Sequence, residues 1–226
     1  MKIKICGITQ EKDIQACEEN NANFIGFINI KRSPRFVDLD KINELTGFMK
    51  DKDKAVLVIE PKDLNEAENT IRESKISTIQ LHSLSSDDIK TLKQKNLLNT
   101  SLTIIKAVGI PEKIDKSKKN EIEEYAEVCD FLLFDSQIKG KTGGTGKQIP
   151  FKQAIEAAEI SKTVNEDIKL ILAGGINAEM IKIQGKVIET VFDCVDVNSG
   201  VEDHPGLKNQ SKIKEFMQIV KIQEDN

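Results

Sequence analysis

Short apolar, β-branched runs recur along the chain, separated by longer stretches in which apolar residues return at helical spacing. The runs are Ile3 to Cys6, Phe24 to Ile28, Ala55 to Ile59, Thr78 to Leu81, Leu102 to Ala107, Phe131 to Asp135, Ile168 to Leu172 and Phe192 to Val197. Their length and flanking polar turns predict eight strands. Between them, spacings such as Ile14, Ala16 and Cys17, or Ala154, Ile155, Ala157 and Ala158, predict helices. Regular alternation of strand and helix over this length predicts an α/β fold, a closed (β/α)8 TIM barrel, with a doubly wound open sheet as the competing layout. The lysine-rich segment Pro111 to Asn120 reads as a solvated loop before a fifth helix at Glu121 to Val128, and Lys221 to Asn226 as a frayed polar tail.

Length changes the picture little: 226 residues suit one large barrel core, so residues 1–226 are expected to form a single domain. Hydrophobic residues make up 38% and charged residues 31%, with a net charge of -4. That balance lacks the basic stripe of a nucleic-acid binder. No apolar run nears the ~20 residues that cross a bilayer, and the start alternates like a strand rather than a signal peptide. The expected location is the cytoplasm, with no membrane partner. Four cysteines, Cys6, Cys17, Cys129 and Cys194, show neither zinc-site spacing nor disulfide density. Two histidines, His82 and His204, are too few for a multi-histidine metal site, and no metal is expected.

In such barrels the strand ends and the loops after them form the active face. This rule gathers Cys6 after the first strand, Arg35 after the second, His82 after the fourth, Asp135 after the sixth, and Gly174, Gly175, Ser199 and Gly200 after the seventh and eighth. Ala173-Gly174-Gly175-Ile176-Asn177 follows a strand and opens a helix, so its backbone N–H groups could approach an anion closely. Asn198-Ser199-Gly200-Val201-Glu202 repeats the arrangement one strand later, where barrels of this type bind phosphate. A lone pair of glycines would mean only a tight turn; two adjacent loops at these positions point to a phosphate cradle. Gly143 and Gly144, within Gly143-Gly144-Thr145-Gly146, could extend the cradle or form a lid.

Cys6 by residue type is a core residue, but its place at a strand end before Gly7 sets it toward the mouth. As a general base it would act as thiolate, so its pKa is expected to be depressed by nearby cations or N–H groups. Asp135 reads alone as a turn cap or lysine partner; beside a glycine-rich loop it becomes a candidate for proton transfer. Arg35 offers a planar fork suited to a carboxylate, with a solvated surface charge as the alternative and Arg32 as the less favoured fork. His82, on the same rim, is a candidate substrate contact.

Taken in order, Lys4-Ile5-Cys6-Gly7-Ile8-Thr9, Gly26-Phe27 with Ser33-Pro34-Arg35, Gln80-Leu81-His82, Leu133-Phe134-Asp135-Ser136, Gly143-Gly144-Thr145-Gly146, Leu172-Ala173-Gly174-Gly175 and Ser199-Gly200-Val201-Glu202 with Pro205-Gly206 closely resemble the phosphoribosylanthranilate isomerases of tryptophan biosynthesis. The resemblance spans nearly the whole chain. It implies an Amadori rearrangement of N-(5-phosphoribosyl)anthranilate to 1-(2-carboxyphenylamino)-1-deoxyribulose 5-phosphate, with no cofactor and a small phosphorylated substrate as the only partner. On the family's pattern Asp135 is the general acid, Cys6 the general base, Arg35 the anthranilate carboxylate's partner, and the glycine loops hold the phosphate. The assembly implied is a monomer or homodimer.

Three departures stand out. Ser83 replaces a usual glycine after Gln80-Leu81-His82, Lys147 to Phe151 replace an aromatic-acidic-tryptophan cluster, and strand three ends in Val58-Ile59-Glu60-Pro61. Two alternatives remain at this stage. One is the related sugar-phosphate aldose-ketose isomerase of histidine biosynthesis, which has an aspartate where Cys6 stands. The other is a non-catalytic barrel that binds a phosphorylated metabolite.

Overall fold

The computed structural model describes residues 1–138, 141–142 and 149–224. Its strands are β1 (Lys2–Cys6), β2 (Phe24–Ile28), β3 (Ala55–Ile59), β4 (Thr78–Leu81), β5 (Thr103–Ile110), β6 (Phe131–Ile138), β7 (Lys141–Thr142), β8 (Lys169–Leu172), β9 (Cys194–Val197), β10 (Glu202–His204) and β11 (Leu207–Lys208). The helices are α1 (Glu11–Glu19), α2 (Leu39–Gly47), α3 (Leu64–Ser74), α4 (Ser86–Gln94), α5 (Lys116–Val128), α6 (Phe151–Val164), α7 (Ala178–Val191) and α8 (Gln210–Glu224). The main sheet runs β5-β4-β3-β2-β1-β9-β8-β6, and β5 also pairs with β6 in parallel, which closes it into a barrel of eight strands. Strand β7 adds an antiparallel pair to the end of β6, and β10 with β11 forms a separate small hairpin.

All eight apolar runs are strands, because a parallel barrel buries both strand faces and so writes a near-continuous apolar signal. Alternation divides each strand between two cores. Outward residues such as Ile5, Ile25, Leu57, Ile79, Ile104, Leu132 and Leu170 pack with the helices. Inward residues Cys6, Ile28, Val56, Val58, Ile105, Ala107, Leu133, Ile171, Ala173 and Cys194 fill the barrel. Rings of Phe134 and Phe192 meet edge to face in the outer core at 6.4 Å, and Phe24 and Phe131 do the same at 5.9 Å against the inner one.

Helix starts follow capping chemistry. Asp38, Asp63, Asp115 and Asn177 each accept a backbone N–H from the first turn of α2, α3, α5 and α7, and Ser85 with Asp88 forms a capping box on α4. The Asp115 cap starts α5 at Lys116, so Lys116 to Asn120 are helical where their charge reads as loop; only Ile122 and Ala126 of that helix are buried. Strands β5 and β6 run three residues beyond their apolar signal, to Ile110 and Ile138. Helix α8 continues through Lys221 to Glu224, which the sequence reads as tail. Among the described residues no helix is long and apolar enough to cross a membrane.

Phe27, on β2, is fully buried in the outer core. Phe27→Ala is expected to lower unfolding free energy by about 3–5 kcal/mol through lost burial and the cavity left behind. A drop in the urea midpoint at unchanged slope is the measurement that checks it.

Candidate active site

Cys6 ends β1 on the inner face, directly opposite Gly26 of β2 in the parallel register. A Cβ at Gly26 would lie 2.8 Å from the Cys6 Sγ, so the missing side chain makes room for the thiol. Two residues below on the same face, Lys4 is fully buried and pairs in register with Asp196 of β9. The Lys4 Nζ lies 3.0 Å from the Asp196 Oδ2 as an ion pair, while the buried Asp196 Oδ1 has no hydrogen-bond partner.

The structure corrects the expectation for Cys6. Burial pushes the thiol above its ordinary pKa, and the attraction of Lys4 opposes that rise without cancelling it. Lys4 shows the reverse balance: burial pulls its pKa down, but Asp196 and Cys6 together hold the ammonium above the usual lysine value. The resting site therefore has a protonated thiol beside a charged lysine.

Asp135 stands on β6, three strand positions around the barrel from Cys6, opposite Gly109 in register. Burial pushes its carboxyl up to about 6; the backbone N–H of Ser136, donating to Oδ1 at 2.6 Å, pulls the other way, and Asp196 adds to the rise. Gly174, at φ 83, lies so close that a Cβ there would sit 2.8 Å from the same Oδ1. The loop after β8 thus packs directly on this carboxyl.

That loop contains two left-handed glycines, Gly174 and Gly175, a conformation that side chains strain. It leads into the Asn177 cap of α7, whose first backbone N–H groups point out of the helix end. The loop after β9 turns through a short 3-10 helix at Ser199–Val201. Gly200 packs on the first loop: a Cβ there would lie 2.2 Å from the Ile176 carbonyl and 3.1 Å from the Asn177 Cα. The two glycine loops lie against each other at Gly200. Gly143 and Gly144 lie outside the described residues.

Arg35 is placed on the rim but is not an open fork. Its Nε and Nη2 donate to the two carboxylate oxygens of Glu202 at 2.9 and 2.6 Å, and both side chains are buried. Only the opposite guanidinium edge, built from Nη1, remains for a ligand. Lys208 completes the cluster, donating from Nζ to Glu202 Oε1 at 2.9 Å and to Asn198 Oδ1 at 2.8 Å. Burial pushes the Glu202 carboxyl up, but hydrogen bonds from Arg35 and Lys208 outweigh it and hold its pKa below the usual value. Gly7, at φ 76, lets this cluster close over β1: a Cβ would lie 2.6 Å from Arg35 Cδ and 2.8 Å from Asn198 Oδ1. Arg32, in contrast, makes an exposed two-point pair with Glu60.

His82 sits at the end of β4 with its Nε2 3.0 Å from the Gln80 Nε2. Burial lowers its pKa to about 4, with Lys106 adding to the fall, so the ring is neutral at pH 7. With the Gln80 amide donating, Nε2 accepts and Nδ1 carries the proton; Nδ1 is buried without a partner. Ser83 is held by its hydroxyl donating to the Pro61 carbonyl, and Leu84, not Ser83, takes the left-handed conformation at φ 73. Replacement of the family glycine therefore adds no strain at position 83. Among the described residues no group of three or more His, Cys, Asp or Glu side chains could hold a metal ion.

Sequence reasoning missed Lys4, Asp196, Glu202 and Lys208 as parts of the site. For Lys4 and Asp196 the available signal was a charge in the middle of a strand, since barrel strands have no solvent-facing side to receive it; Glu202 and Lys208 lie on the small hairpin outside the barrel and carry no such signal.

The sequence pattern of the family described as N-(5'phosphoribosyl)anthranilate (PRA) isomerase matches residues 3–219. A relative from Methanothermobacter marburgensis, named N-(5'-phosphoribosyl)anthranilate isomerase, is 32% identical over 220 residues, covering 97% of this chain and 94% of the relative. The solved N-(5'-phosphoribosyl)anthranilate isomerase of Pyrococcus furiosus superposes with a TM-score of 0.72 at 26% identity, over 98% of this chain and 99% of its own. A phosphoribosyl anthranilate isomerase solved in complex with reduced 1-(o-carboxyphenylamino)-1-deoxyribulose 5-phosphate shares the fold, with a TM-score of 0.73 at 21% identity over 98% of both chains. The motif order, the closed barrel and these matches agree: the chain belongs to the phosphoribosylanthranilate isomerase family.

Proposed function

We propose that this chain converts N-(5'-phosphoribosyl)anthranilate to 1-(2-carboxyphenylamino)-1-deoxyribulose 5-phosphate, with Asp135 as general acid and Cys6 as general base. The observation that carries the assignment of roles is a carboxyl whose pKa is raised to about 6 on the same rim as a buried thiol backed by a lysine. A carboxyl held protonated nearer to neutral pH suits an acid, and a thiol beside a cation suits a base.

The reaction balances within one molecule. Asp135 gives its proton to the furanose ring oxygen, the bond from that oxygen to C1 breaks, and the nitrogen lone pair forms a C1–N double bond. The Cys6 sulfur, once in its thiolate form, takes the proton from C2; the electrons of that C–H bond form a C1–C2 double bond as the C1–N π pair returns to nitrogen. The resulting enolamine tautomerises to the ketone by protonation at C1. Because an electron pair only moves between C1 and C2, no external oxidant or reductant is required.

The adjoining loops after β8 and β9 would bind the phosphate, supported by Gly174, Gly175, Ser199 and Gly200 and by the α7 N-terminus. Arg35 would meet the anthranilate carboxylate with its Nη1 edge. Neutral His82 would stand beside the substrate on the rim. Remote binding at the phosphate positions C1 and C2 between acid and base. The described acid, base and loops belong to one chain, so monomer and homodimer are both consistent with the reading, and the expected compartment is the cytoplasm.

Loss of substrate fluorescence on addition of the protein tests the activity, and binding without turnover would support a sensing barrel instead. Cys6→Ala and Asp135→Ala are each expected to lower kcat by about 10²–10⁴-fold while the circular dichroism spectrum is unchanged. Full turnover in either variant removes that residue from the mechanism. Gly200→Ala forces the two glycine loops apart and is expected to raise KM several-fold with a smaller effect on kcat, read from initial rates.

The raised Asp135 pKa also affects stability. The folded protein keeps this proton to about pH 6, whereas the unfolded chain loses it near pH 3.9, so stability falls as pH rises through that window. Asp135→Asn is expected to be more stable than the parent at pH 7, by about 1–3 kcal/mol, with the difference gone below about pH 4. Urea unfolding at the two pH values decides it.

A further inference from the structure

The inside of the barrel is lined mainly by apolar side chains, yet Lys4 and Asp196 stand face to face within it. Lys4 is fully buried, and the Asp196 side chain is 9% exposed. The pair does not complete its own bonding. Asp196 Oδ1 is buried without a hydrogen-bond partner, and the Lys4 ammonium contacts Oδ2 at 3.0 Å without hydrogen-bond geometry. A buried ion pair of this kind is poor value as a structural device, since apolar side chains of similar size often serve stability as well or better.

Its position suggests another use. Lys4 lies two residues below Cys6 on the same face of β1, with Asp196 beside it on β9. The charged groups acting on the Cys6 sulfur are Lys4 and Asp196 and, from β11, Lys208; the facing position on β2 is Gly26, which has no side chain. Those acting on Asp135 are Asp196 and Lys4, with the Ser136 N–H as its hydrogen-bond donor. The Lys4 charge also acts on His82, and the Asp196 charge on Cys194, two residues away on its own strand. Cys6 responds more to Lys4 than to Asp196, whereas Asp135 responds more to Asp196 than to Lys4.

We infer that the Lys4–Asp196 pair is a positioning device for proton transfer: Lys4 favours negative charge on the Cys6 sulfur, and Asp196 keeps the proton on Asp135. One ion pair thereby biases the sulfur toward thiolate, against the burial that keeps it protonated at rest, and the carboxyl toward its protonated form, the states that C2 deprotonation and ring opening need. The inference rests on the roles proposed above for Cys6 and Asp135. Neither Lys4 nor Asp196 transfers a proton itself.

The test is the pH profile of kcat/KM for the wild type, Lys4→Met, Asp196→Asn and the double variant, with the pH dependence of Cys6 alkylation by iodoacetamide followed by mass spectrometry. Loss of the lysine leaves Asp196 to act alone, so Lys4→Met should move both limbs up by about one pH unit or more. Asp196→Asn should move both limbs down. In the double variant the sulfur loses its stronger partner Lys4 and the carboxyl its stronger partner Asp196, so the limbs should move in opposite directions. Alkylation of Cys6 should shift up in Lys4→Met and down in Asp196→Asn. If Lys4→Met does not fold, Asp196→Asn and the double variant, which leaves no unpaired charge, carry the test.

Limbs and alkylation that stay in place, or that shift the same way in both single variants, overturn the inference. Retained turnover in Cys6→Ala or Asp135→Ala would instead overturn the mechanism beneath it.

Discussion

Closure of the sheet by the β5–β6 pairing is the constraint from which the rest of the molecule follows. It removes the sheet edges, so every barrel strand is paired on both sides and buried on both faces. It also fixes a small interior in which alternate residues of eight strands compete for space. Glycine at position 26 and a thiol at position 6 are one solution to that competition, because any side chain opposite Cys6 would take the volume of the sulfur.

The rim is held by a second set of constraints, acting between loops. Arg35, Glu202, Lys208 and Asn198 tie the loop after β2 to the loop after β9 and to β11, and Thr9 joins the first loop to the same hairpin through the Gly206 carbonyl at 2.6 Å. In this buried cluster each charge is paired and hydrogen-bonded, which is the condition under which charges are tolerated away from water. The Lys4–Asp196 pair lacks that completeness. The contrast separates a buried cluster that fixes loop geometry from one whose incomplete bonding leaves its field available to neighbouring groups.

The architecture was legible because parallel barrel strands write an apolar run that needs no partner to be recognised. Positions on the rim were legible for the same reason: Cys6, Arg35, His82, Asp135 and the glycines of the last two loops all follow such runs. The start of α5 was obscured by lysines, whose long stems can lie along a helix while their charge reads as loop. Arg35 read as a fork for a ligand because its partner Glu202 stands 167 residues away, beyond any local pattern. The direction of the Cys6 shift was also hidden. It depends on how completely the barrel excludes water from the sulfur, and the sequence shows only that a cation is near.

Burial of Cys6 has a consequence beyond catalysis. Peroxide attacks thiolates, and burial holds this sulfur protonated at rest. The other three cysteines are buried as well. A barrel whose base rests as a neutral thiol holds little of the form that peroxide oxidises, so sulfenic acid forms slowly there between turnovers.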